Sequence, residues 1–173
     1  KEEKDSWKNK SAKVAVIDSG INVDHQWFKN RLDRENSINL ALDEGNEDDK
    51  TKPAYNDTKQ GHGSHVAGII TQATPEEVQV MAIRVFSALG TASYATITNA
   101  VDYAVEHKAD IINMSLGFEI MSGFENDQIT LMDEAFARAF KANTTVCVAS
   151  GNEYTDTSKS YPASSPWTIA VGS

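Results

Sequence analysis

Three residues stand where acid–base and carbonyl chemistry could be done together. Asp18 closes the apolar run Val14-Ala15-Val16-Ile17. A carboxylate directly after apolar residues is partly desolvated, which is costly unless a donor meets it, and an imidazole N–H is such a donor. Read alone, Asp18 either caps a turn or orients a histidine. Strands ending in an acid also hold phosphate or magnesium, but where such sites supply a second acid this chain has Gly20. His62 lies between Gly61 and Gly63, whose missing side chains leave the ring open to a partner and to substrate. Imidazole titrates near neutrality, so it can take a proton and return it. Asn152, in Ala149-Ser150-Gly151-Asn152-Glu153, is either a turn residue or an amide donor to a developing oxyanion. His65 raises a zinc reading through H-x-x-H, yet no Glu, Cys or third His stands nearby at a ligand spacing, so it is expected to be a packed structural histidine.

The elements that must position these residues follow from periodicity. Val14–Ile17, Val78–Val85, Ala109–Leu116, Thr144–Ala149 and Thr168–Val171 read as strands. Between them, Val66, Ile69 and Ile70 fall on one helical face after His62. Ser93–Lys108 places Ile97, Ala100, Val101, Ala104 and Val105 on another, and Gln128–Ala142 points Ile129, Met132, Ala135, Phe136, Ala139 and Phe140 inward. Alternating strands and crossover helices predict an α/β fold of three layers, a mostly parallel sheet with helices on both faces. Sites in such sheets collect at the carboxyl ends of the strands, where Asp18, His62 and Asn152 all fall.

Composition narrows the function classes. The 173 residues carry 16 basic and 25 acidic side chains, a formal net charge of −9, and 40% hydrophobic residues. That is one domain able to build a core, and its negative field disfavours nucleic acid and anionic membranes. No stretch is long and apolar enough to span a membrane, and residues 1–7 contain no apolar signal segment. Cys147 is the single cysteine, so no internal disulfide forms, and its apolar surroundings predict a buried thiol. Between Leu42 and Gln60 the acids Asp43, Glu44, Glu47, Asp48, Asp49 and Asp57 outnumber the lysines, which reads as a solvated loop without EF-hand spacing.

The chain resembles the subtilisin-like serine proteases, the subtilases. The resemblance is carried by Val14-Ala15-Val16-Ile17-Asp18-Ser19-Gly20-Ile21, Gly61-His62-Gly63-Ser64-His65-Val66-Ala67-Gly68, Asp110-Ile111-Ile112-Asn113-Met114-Ser115-Leu116-Gly117, Val148-Ala149-Ser150-Gly151-Asn152-Glu153 and Tyr161-Pro162-Ala163, in family order across nearly the whole chain. It implies a serine endopeptidase that works through an acyl-enzyme: Asp18 orients His62, His62 is general base and then acid, and Asn152 helps bind the oxyanion. These roles are the family's own, with its Asp…His…Ser chain order. It further implies that Ser115, Leu116 and Gly117 line the primary specificity pocket, that Gly90, Thr91 and Ala92 form an edge strand pairing with an extended peptide, and that Tyr94 lines a more distant subsite. Tyr161-Pro162 falls where the family often has a cis peptide.

Departures from the family pattern qualify the resemblance. Ser64 replaces the threonine of the histidine motif. Residues 71–77 are shorter than the calcium loop of the secreted bacterial enzymes, and Trp27 stands in place of an aspartate ligand, so that calcium site is expected to be absent and no cofactor is required for the chemistry. The family's nucleophile lies in a Gly-Thr-Ser segment well beyond the asparagine, and residues 1–173 contain none. Ser64, Ser115 and Ser150 are poor substitutes, because none opens a helix from such a turn. Residues 1–173 are therefore expected to be a catalytic domain incomplete at its C-terminal end, inactive alone, ending on a buried strand. Expected partners are a peptide or protein substrate, a C-terminal companion chain and a propeptide. Secretion or surface location follows from the family alone. The alternative is a non-catalytic subtilase-like domain that binds extended peptides.

Overall fold

The run ahead of Asp18 becomes the centre of the molecule. In a computed structural model, which describes residues 11–42, 51–120, 126–152 and 156–172, β1 (Ala12–Asp18) pairs in parallel with β3 (Val78–Arg84) on one side and β4 (Ile111–Met114) on the other. Beyond β3 lies the short β2 (Ile38–Asn39). Beyond β4 lie β6 (Thr145–Ala149) and β8 (Ile169–Val171), giving a six-stranded parallel sheet in the order β2-β3-β1-β4-β6-β8. A central parallel strand is covered on both faces, which is why Val14 to Ile17 carry no polar alternation. Two short strands not foreseen from the sequence, β5 (Phe118–Glu119) and β7 (Ser160–Tyr161), pair antiparallel in a separate ribbon. Two-residue strands are too short to show a period.

Helices cover the two faces with different residues. α2 (Tyr94–Glu106) and α3 (Asn126–Lys141) pack with Ala15, Ile17, Met81, Ile83, Ile112 and Val148 in one core. Ser93 caps α2 by accepting from the Thr96 amide at 3.0 Å. α3 begins with Asp127 and ends with Arg138 and Lys141, charges that complement its dipole. α1 (His62–Ala73) lies on the opposite face, where Ala67 meets Val16, Val80 and Ala82. Buried Arg31 ties its end to the sheet, donating to the carbonyls of Thr71 at 3.0 Å and Val78 at 2.5 Å.

Several expectations are corrected. The inward face of α1 is Gly63, Ala67, Gly68 and Thr71; Val66 and Ile70 are half-buried against the same core, but Ile69, placed on one face with them, is 58% exposed. Gly63 meets the Gly20 backbone and Gly68 the Trp27 ring, which leaves no room for larger residues there. Phe140 is also exposed, its ring against Trp167, because Ala139 fills the inward position at that turn. Val105 and Ile129, as expected, pack against the core, though only half-buried. Cys147 is half-buried too, on the α1 side of β6; what burial it has pushes its thiol pKa up, away from the reactive thiolate. β8 is exposed along its length, not buried.

Candidate active site

β1 and α1 deliver the acid and the imidazole to one point. Asp18 is the last residue of β1 and His62 the first of α1, and Asp18 Oδ1 lies 2.7 Å from His62 Nδ1. The same carboxylate oxygen accepts from the Ser19 amide at 2.7 Å. Asp18 is fully buried, whereas the His62 side chain is 54% exposed. One ring nitrogen is thus held from below while the rest of the ring faces solvent. Burial pushes the Asp18 carboxyl pKa above the usual carboxylate value, and the bonds from His62 and Ser19 offset this only in part.

The first turn of α1 has no cap of its own. Gly61, with φ +70°, offers no side chain, so the amides of Gly63 and Ser64 need partners elsewhere. Ser19 Oγ accepts from the Gly63 amide at 2.9 Å, and Asp57 Oδ2 accepts from the Ser64 amide at 2.7 Å. Asp57 Oδ1 in turn accepts from Ser19 Oγ at 2.6 Å, and its other oxygen accepts from the Ser64 hydroxyl. Asp57 is therefore buried at the site and is no part of a solvated loop. Residues 43–50, where most of the other acids of that stretch fall, lie outside the described residues. Nothing in the local composition separates Asp57 from those acids, because its partners are remote in sequence.

Contact between the two segments depends on glycine. Gly20 has φ +111° and packs against the 55–56 backbone, and a Cβ on Gly63 would lie 2.1 Å from the Gly20 carbonyl oxygen. Gly63→Ala must push α1 away from β1. We expect a loss of about 3 kcal/mol of stability, typical of severe overpacking, seen as a drop of roughly 10 °C in the thermal midpoint by circular dichroism. An unchanged midpoint would contradict the close packing.

A cleft of about 240 Å³ opens over this pair. Asp18, His62, Gly90, Ser115, Leu116 and Gly117 all line it, so most of the residues singled out from the sequence share one space. It lies between the ends of β1 and β4, where the strand order reverses direction. Phe86 and Ser87 also line it and carried no sequence signal. Thr91 and Ala92 are in no strand: Ser87 and Thr91 close a turn through their own backbone and hydroxyls. Tyr94 opens α2 with its ring against Phe118 and lines a separate, largely apolar cavity of about 590 Å³. Asn152 is exposed, just past the carboxyl end of β6 and after Gly151 at φ +99°. His65 is not packed away: it is exposed and lines a cavity of about 440 Å³ with His25, Trp27 and Lys59. Tyr161-Pro162 is cis. Among the described residues, no group of three or more His, Cys, Asp or Glu converges as a metal site, and no helix is long and apolar enough to cross a membrane.

The sequence profile of the subtilase family, peptidase S8, matches residues 9–173. This chain belongs to the subtilase family. Subtilases similar to it include the major intracellular serine protease of Bacillus subtilis, 34% identical over 96% of this chain and 52% of that protein, and subtilisin E of the same species, 32% identical over 94% and 40%. Among solved structures, a lanthipeptide protease superposes with a TM-score of 0.76 at 26% identity, over 94% of this chain and 48% of the other. The chain spans about half the length of the curated subtilases it matches. Intracellular serine proteases stand beside subtilisins among these relatives, so membership of the family does not restrict the chain to one side of the cell envelope.

Proposed function

We propose that the protein is a serine endopeptidase hydrolysing peptide bonds through an acyl-enzyme, with Asp18, His62 and Asn152 in this chain and the nucleophilic serine in a segment C-terminal to Ser173. The observation that carries the reading is the 2.7 Å contact between a buried carboxylate and an imidazole whose remaining face opens on a cleft. In this scheme Asp18 holds His62 with Nδ1 as the donor, leaving Nε2 free to take the proton of the attacking hydroxyl and pass it to the leaving amine. The Asn152 amide donates to the oxyanion as it forms. Ser115, Leu116 and Gly117 hold the residue before the scissile bond, and Gly90 to Ala92 with Tyr94 contact the chain upstream of it.

In this scheme the serine's segment covers the α1 side of β4, β6 and β8. There Ile111, Cys147 and Ala149 are half-buried and Ile169 and Val171 exposed, so an apolar element has surface to cover. In this scheme the chemistry requires no cofactor, and a structural calcium at the family's usual strong site is not expected. At the position of the family's calcium aspartate, Trp27 offers no oxygen ligand, and its ring packs against Gly68 of α1.

The test is a fluorophosphonate probe applied to the native protein. We expect a serine beyond residue 173, on the same or a companion chain, to be labelled, with labelling lost in His62→Ala. Correctly folded material that takes no label would overturn the reading and leave a peptide-binding domain.

A further inference from the structure

Asp57 accepts every hydrogen bond it makes here, and the donors come from both segments of the site. Ser19, next to Asp18, donates its hydroxyl to Oδ1; Ser64, two residues after His62, donates its amide and its hydroxyl to Oδ2. The two hydroxyls then act as acceptors in turn, Ser19 Oγ from the Gly63 amide at 2.9 Å and Ser64 Oγ from the Asn22 amide at 2.8 Å. The direction of every bond is thereby set: amides donate to hydroxyls, and hydroxyls donate to the carboxylate. A ring closes through Asp18, His62, Gly63 and Ser19, since Ser19 binds Asp18 with its amide and Gly63 with its hydroxyl. Asp57 is the acceptor that fixes this ring from outside.

The carboxylate is itself held in place. The loop that carries it is tied along the 19–23 segment by the Ile21 amide to the Tyr55 carbonyl, the Thr58 amide to the Ser19 carbonyl and the Val23 amide to Asn56 Oδ1. Buried Arg84, which pairs with Asp18 across the β1–β3 ladder, donates to the Ala54 carbonyl at 3.2 Å.

We propose that Asp57 is a positioning residue of the active site, whose carboxylate holds the Asp18 and His62 segments in register so that the imidazole keeps its bond to Asp18. The proposal rests on the endopeptidase reading for its kinetic consequence, but not for its geometry. An amide in place of the carboxylate cannot accept on both sides. It must keep its oxygen for the Ser64 amide and present NH2 to Ser19 Oγ, which already accepts from Gly63. The Ser19 hydroxyl loses its acceptor and the ring loosens at His62.

The experiment compares wild type with Asp57→Asn in the intact protein, reading the deshielded Nδ1 proton of His62 by NMR and, on the same samples, kcat per fluorophosphonate-titrated site. We expect the Nδ1 proton to exchange too fast to observe, and kcat to fall about a hundredfold with KM little changed, as for a small misplacement of a catalytic group. A lowered thermal midpoint with the Nδ1 signal and kcat per site intact would overturn the proposal and leave Asp57 a purely structural residue. Should Asp57→Asn not fold, Ser19→Ala and Ser64→Ala each remove one arm. Each must weaken the same proton signal, and an unaltered signal in either would overturn the proposal. The proton signal needs no turnover, so its loss in a protein that cleaves nothing upholds the positioning role while the endopeptidase reading fails.

Discussion

On the endopeptidase reading, His62→Ala is expected to lower kcat of the complete protein by about six powers of ten, a size carried over from the family's own triad. The fold survives, because the imidazole is more than half exposed and its one buried bond goes to Asp18. The expected loss is large because in that reading one ring does two jobs, removing the proton from the attacking hydroxyl and returning it to the leaving amine. What remains is the rate supported by binding and the oxyanion donors alone. Steady-state kinetics on folded enzyme of known protein concentration is the measurement. A variant that keeps its rate shows that another group is the base.

Asp18→Asn separates catalysis from stability. The amide still offers an oxygen, but its NH2 competes for the same place beside His62, and a ring held in the wrong tautomer cannot act as base; on the endopeptidase reading the expected cost is about four powers of ten in kcat. Stability should respond differently to pH. Burial raises the Asp18 pKa, so the native state binds this proton more tightly than the unfolded chain. As pH rises past the ordinary aspartate value of 3.8, the unfolded chain releases the proton first, and stability contributed by this group falls across that window. The uncharged amide has no such pH dependence; its NH2, which meets either the Ser19 and His62 donors or the buried, unpartnered Oδ2 position, costs the variant the same at every pH. The stability difference between the two proteins should therefore shift in favour of Asp18→Asn by about 1 kcal/mol from acid to neutral pH, the scale of a buried polar group, or roughly 3 °C in thermal midpoint. Thermal unfolding of both proteins over that range decides it, and a difference that stays constant with pH would mean that burial does not raise the Asp18 pKa.

Nature's compromise at Asp18 also accounts for the glycines around it. A buried carboxylate must be approached by a helix start, and a helix start approaches a strand end only where neither bears a Cβ at the contact, at Gly20 and Gly63. Ordinary capping residues, which take extended backbone, are disfavoured at Gly61 by its left-handed φ of +70°. The caps therefore come from Ser19 and Asp57, and the stability of α1 is coupled to the geometry of the site.

Sequence alone determined the framework: strands where β-branched residues run unbroken, helices where apolar residues recur every three or four positions, and hence a parallel sheet whose carboxyl edge holds Asp18, His62 and Asn152. It determined these because each rests on signals carried within one short window, which survive whatever the rest of the chain does. Tertiary structure alone decided that the acid Asp57 is buried among Ser19 and Ser64, that His65, Ile69 and Phe140 face outward, and that Thr91 and Ala92 belong to a turn closed from Ser87. Those outcomes depend on which distant segment arrives beside a residue and how closely it packs, and neither period nor composition records the arrival of a partner far away along the chain.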